Sequence, residues 1–131
     1  MSEKKGLSMT MSVDLKKFCI RVHKPCYRML GEPRYIQLLV NPKDMVVAIR
    51  GVEKALSHDS IHKINEKRML SGNSYEIYSR TFVRKLCEIA DGIDEGFSYK
   101  LSGEGFPDKK TVVFSLKTLQ KTDRHGVTID D

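Results

Sequence analysis

Tryptophan is absent from this 131-residue chain, and cysteine occurs only at Cys19, Cys26 and Cys87. An odd cysteine count leaves one thiol over in any disulfide framework, so a reducing cytoplasm is the expected setting. Long apolar runs are missing too. The longest, Tyr35 to Val40 and Met45 to Ile49, fall far short of the ~20 residues that span a bilayer. The opening MSEKKGLS lacks the apolar stretch of a signal peptide. A cytoplasmic protein with no membrane partner is the expectation.

A phosphate-cradling loop is the next absence. Gly103-Glu104-Gly105 followed by lysines has the look of one, but such a loop needs further glycines and a helix directly after it. A strand follows instead, with Val112, Phe114 and Leu116 at period two, and Phe97, Tyr99 and Leu101 alternate before it. These two runs predict a hairpin, with Gly105 and Pro107 setting its turn.

With only four prolines, each is a landmark. Pro25 suits the first turn of a short helix over Cys26 to Leu30, stopped by Gly31. Pro42 sits at the second position of Asn41-Pro42-Lys43-Asp44, a type I turn joining runs Arg34–Val40 and Met45–Gly51 into another hairpin. A strand is expected within Val13–Val22. Ser79 reads as the N-cap of a longer helix through Asp91, with Phe82, Val83, Leu86, Ile89 and Ala90 as its apolar stripe. Segment 52–74 is the least readable, with an edge strand over Ser60–Ile64 and a loop at Ser71–Ser74.

Each half thus reads as strand, helix and hairpin, the hairpins turning at "NPKD" and "FPDKK". Either the chain carries a duplicated βαββ unit, or two common arrangements coincide. On those turns the layout resembles, as an analogy of architecture, the two-repeat sheet of TATA-box-binding proteins. The expected fold is α+β: an antiparallel sheet of about six strands with one long and one short helix. The expected organisation is a flexible tail at 1–8, a single domain at 9–121 and a flexible tail at 122–131.

Chemistry is scarce. His58 and His62 have a zinc-like spacing without the glutamate of a metalloprotease, and read as surface histidines. Cys19, His23 and Cys26 lack a fourth ligand, and Cys87 reads as a core residue. Asp91, Asp94 and Glu95 read as a solvated acidic loop. No cofactor, metal or small-molecule substrate is expected, and an enzyme of unidentified class ranks third among functions.

Charge and surface point to binding instead. Net charge is +6, and residues 1–74 carry 14 Lys/Arg against 7 Asp/Glu, while 75–131 carry 9 against 10. That imbalance suits a polyanionic partner, or simply a solvated surface. Arg34, Tyr35, Arg50, Lys100 and Lys117 are the nucleic-acid-binding candidates, with Tyr35 as a stacking ring. The first hairpin is apolar on both faces, so Tyr35, Leu39, Val46 and Ala48 are candidates for a homodimer interface, unless segment 52–74 covers them. The expected function is a non-enzymatic binding protein that self-associates, with nucleic acid as a further partner. The alternative is a structural or protein-interaction module.

Overall fold

The computed structural model describes residues 6–54, 61–63, 74–90, 93–94 and 96–122. Alternation builds most of it. In β2 (Cys19–His23) Ile20 and Val22 are fully buried while Arg21 and His23 are partly exposed. The same period-two pattern runs through β1 (Leu7–Asp14), β3 (Tyr35–Asn41), β4 (Val46–Val52), β6 (Ser74–Tyr78), β7 (Ser98–Phe106) and β8 (Thr111–Ser115). Two short strands, β5 (Ile61–Lys63) and β9 (Gln120–Thr122), complete the set.

Two α-helices are present among the described residues. Helix α1 (Lys24–Met29) starts with Pro25 in its first turn, and Gly31 follows it at φ +86°. Helix α2 (Arg80–Ile89) is capped by Ser79, whose hydroxyl accepts from the Phe82 N–H at 3.2 Å.

The strands run β5-β3-β4-β8-β7-β1-β2-β6, every neighbouring pair antiparallel, and β9 adds to the first part of β7. The ends of this series approach each other, and the Tyr75 hydroxyl donates to the Lys63 carbonyl at 3.2 Å. The result is a nearly closed eight-stranded barrel in which strands make up 53% of the described residues. This corrects the expected α+β fold. There is no sheet of six strands layered with a long and a short helix, and among the described residues only α2 exceeds six residues. The reason is in the face count: β3 and β4 need cover on one side only, because the sheet rolls up and makes its own interior. Leu7 and Ser8 already pair with β7, and β9 carries pairing to Thr122.

The unit that recurs is also longer than βαββ. Exchanging β1, β2, β3 and β4 with β5, β6, β7 and β8 reproduces every neighbouring pair in the series except β1 with β2, whose counterpart would be β5 with β6. The registers obey the exchange as well. β4 and β8 pair symmetrically about Ala48 and Val113, and β2 and β6 about Arg21 and Glu76. Both hairpins close with a four-residue turn, Pro42–Met45 and Pro107–Lys110, whose last residue has φ +54° or +49°. Reciprocal hydrogen bonds then join the halves: Gly51 N–H to the Lys110 carbonyl at 2.9 Å, and Leu116 N–H to the Met45 carbonyl at 2.8 Å.

The interior is filled from both halves by Met11, Ile20, Val22, Ile36, Val47, Ile49, Leu101, Val112 and Phe114, all fully buried. Helix α2 adds Phe82, Val83 and Leu86. Gly103 and Gly105 lie within β7 and not in its turn. A Cβ at Gly103 would stand 2.2 Å from the Val113 carbonyl, so no larger residue fits there.

Candidate interaction face

Since the interior is packed with hydrocarbon, function is left to the outside of the barrel. Residues of β3, β4, β8 and β7 that alternate with the buried ones form one outward surface. Its middle row, read across the strands, is Leu39, Ala48, Val113 and Glu104. One rung away on β4 stands Val46, partly exposed, and Leu39 is 38% exposed. Three of the four residues expected at a dimer interface therefore adjoin, and Tyr35 lies on the same face, four residues before Leu39. Val113 was not anticipated. Its signal was available, since it stands between Val112 and Phe114 in a strand whose other outward residues are Thr111 and Ser115.

Two grooves flank this apolar strip. One lies between α2 and β3, lined by Leu39, Val40, Pro42, Phe82, Lys85 and Ile89. The other runs past Val46 and Val113 toward Ser102, Glu104, Ser115 and Thr118.

The five nucleic-acid candidates do not form one cluster. Arg50 stands across from Thr111 at one end of the face, where Tyr35 pairs with Val52 and Arg34 precedes it. Lys100 pairs with Ser12 at the opposite end, and Lys117 lies in the 3₁₀ turn Leu116–Thr118. The two groups are about eight residues apart along the strands, roughly 26 Å. Lys63 was missed because it lies in the segment that resisted reading. It stands directly across from Tyr35 in the β5–β3 ladder and is exposed.

Electrostatic partnering differs between the ends. Arg21 is held between Asp14 at 3.5 Å and Glu76 at 3.6 Å, and Lys121 bonds Asp94 at 2.5 Å while lying 4.2 Å from the Phe97 ring. Arg34, Arg50 and Lys63 make no ion pair among the described residues. The hydrogen bond from Tyr78, aided by Arg21, holds the Glu76 carboxyl below its ordinary range against the opposing effect of burial.

Cys26 is packed in the core, and burial pushes its thiol up to about 12. Burial, with Glu76 and Asp14 nearby, also raises Cys19. His23 lies 3.5 Å from the Ser12 hydroxyl; burial first, then Lys100 and Arg21, lowers its proton affinity. His62 sits in a strand, its Nε2 buried with no hydrogen-bond partner among the described residues, and His58 lies outside those residues. Asp94 is exposed and paired with Lys121; Asp91 and Glu95 also lie outside. Among the described residues no three His, Cys, Asp or Glu side chains gather as a metal site would require, and no helix is long and apolar enough to cross a membrane.

Comparison with known proteins adds no relative: no family model, curated protein or solved structure matches this chain.

Proposed function

We propose that this is a non-enzymatic binding protein that associates with a second copy of itself through the outer face of β3, β4 and β8. The observation that carries the reading is the contiguity of Leu39, Val46, Ala48 and Val113 on the outside of a barrel. An apolar strand surface left to water invites pairing, and soluble proteins keep such patches small or cover them. Burying one Leu or Val side chain contributes about 1.5–3 kcal/mol, so two copies of the strip supply enough for a dimer. β5 lies beside β3 as a strand, and the adjoining segments 55–60 and 64–73, once considered as a cover, are outside the described residues. Three free cysteines support the cytoplasm as the proposed setting.

Sedimentation velocity tests the reading. Wild type is expected to sediment as a dimer at micromolar concentration, and Leu39→Asp or Val46→Asp as a folded monomer. A monomeric wild type at high micromolar concentration would sink it.

A second reading, nucleic-acid binding, is favoured by the grouping of exposed Arg34 and Arg50 beside Tyr35. Binding should then weaken with salt, log K falling by ~0.9 per duplex phosphate neutralised. Arg34→Glu with Arg50→Glu should abolish a mobility shift. If wild type gives no shift at low salt, a protein-interaction module without a nucleic-acid role stands in its place.

A further inference from the structure

Resting on that second reading, we infer that Arg34, Tyr35, Arg50 and Lys63 form a site for single-stranded nucleic acid at one end of the outer face. The ladder brings them together. Lys63 and Val52 flank Tyr35 directly, on β5 and β4, and Arg50 lies one outward position from Val52. Directly opposed side chains in an antiparallel pair have Cβ atoms about 4.5–5.5 Å apart, which puts a cation beside the phenol ring.

The charges are available. Arg34, Arg50 and Lys63 are exposed, and the nearby acids Glu32 and Glu53, also exposed, pair with none of them. The Tyr35 hydroxyl makes no hydrogen bond among the described residues, and none of those residues holds the ring away from a ligand. Cations that follow a backbone, with an aromatic ring between them for a base to stack on, are the elements of single-strand recognition.

Curvature argues against a duplex. Reading a major groove takes a protruding helix or two-stranded ribbon. Here the cations rise from the strands of a barrel wall, which is convex outward and meets a duplex only at its phosphates. A single strand can bend to that wall and turn its bases toward Tyr35. The opposite end is built differently. Lys100 has Ser12 beside it, followed by Arg21, which two carboxylates already hold.

Fluorescence anisotropy of the full chain tests this with a labelled oligothymidine strand and a duplex of equal length. The strand should bind at least about tenfold tighter than the duplex, with a salt slope of about 2 for three phosphates at ~0.7 each. Tyr35→Ala should weaken strand binding about tenfold while leaving that slope in place, since stacking carries no charge. Arg50→Glu with Lys63→Glu should remove most of the binding and flatten the slope, whereas Lys100→Glu should change neither. Circular dichroism melting confirms that each surface variant remains folded. Equal or tighter duplex binding overturns the single-strand inference but leaves the second reading standing. A loss with Lys100→Glu as large as with the double variant overturns the placement. No binding to either probe at low salt overturns both.

Discussion

Leu39 and Glu104 occupy the same place in the two hairpins, and so do Tyr35 and Lys100, Val46 and Thr111, and Arg50 and Ser115. Inside the barrel the equivalent pairs are Ile36 with Leu101, Val47 with Val112, and Ile49 with Phe114, apolar in every case. The two halves keep one register and one interior, and diverge in what they present to water. The first half presents an aromatic ring, cations unpaired among the described residues, and aliphatic side chains. The second presents a carboxylate, hydroxyls and a lysine around a single aliphatic side chain, Val113. Packing tolerates little change at a buried position, while the outer wall is free to vary, so the difference in outer chemistry is where binding is expected to reside.

Glycines break the match at inward positions, Gly103 against Leu38 and Gly105 against Val40, and the first carries the largest expected effect. Leu38 and Gly103 are equivalent, yet only the second lies against a carbonyl. Gly103→Ala should destabilise the protein by about 3 kcal/mol in chemical denaturation, at the upper end of overpacking penalties. A loss near zero would mean that β7 and β8 can move apart. Next comes a substitution that restores the outer symmetry. Glu104→Leu extends the apolar row across all four strands and should tighten self-association about tenfold in sedimentation equilibrium, one Leu burial being worth roughly 1.5–3 kcal/mol. Weaker association would show that Glu104 is part of the contact.

The two lowered histidines compare the halves through pH. His23 and His62 are kept neutral by burial, His23 also by Lys100 and Arg21. The unfolded chain takes up those protons near the ordinary value of 6.5, and the native protein only at lower pH. Stability is therefore complete above that value and declines as pH falls below it. Melting temperature should drop between about pH 7 and about pH 5, and His23→Gln with His62→Gln should flatten the drop. An unchanged profile in the double variant would remove the histidines as its cause. The smallest effect belongs to β9, which has no equivalent in the first half among the described residues. Lys121→Ala breaks a pair with the exposed Asp94 and should cost under about 1 kcal/mol. A larger loss would make the Phe97 contact the stronger tie.

Local features of the fold were legible in the sequence. The hairpin read at Asn41-Pro42-Lys43-Asp44 forms, but its turn is one residue later, Pro42–Met45, because Asn41 still pairs in β3 while its amide donates to the Asp44 carboxylate at 3.0 Å. Ser79 caps its helix, Pro25 and Gly31 bracket α1, and both hairpins form. What escaped was weakly patterned or non-local. Met9, Met11 and Val13 alternate in a Ser- and Thr-rich stretch of modest strand propensity, so residues 9–12 went without an element and Leu7 and Ser8 were read as tail. Tyr75 and Ile77 were overshadowed by the neighbouring Gly72-Asn73. The pairing of β1 with β7 has no local signal at all, because it depends on how the whole sheet rolls. The same holds for the site. Residue types marked Tyr35 and Arg50, but only the ladder separates Lys100 from them and sets Lys63 in its place.

The pairing of the two halves through β4 with β8 and β2 with β6 also bears on how the chain reaches this state. Neither hairpin closes a barrel by itself; Ala48 waits for Val113, and Arg21 for Glu76. Such distant encounters must meet the entropy of closing long loops before any of their contacts form, which slows folding into the millisecond-to-second range. A nascent chain that has emerged only as far as β4 carries four strand edges, one on each of β1 to β4, with nothing yet made to receive them. Until synthesis delivers the second half, the nearest complementary edge belongs to another copy of the first. The internal symmetry thus makes a neighbouring ribosome's product a competitor for the protein's own second half.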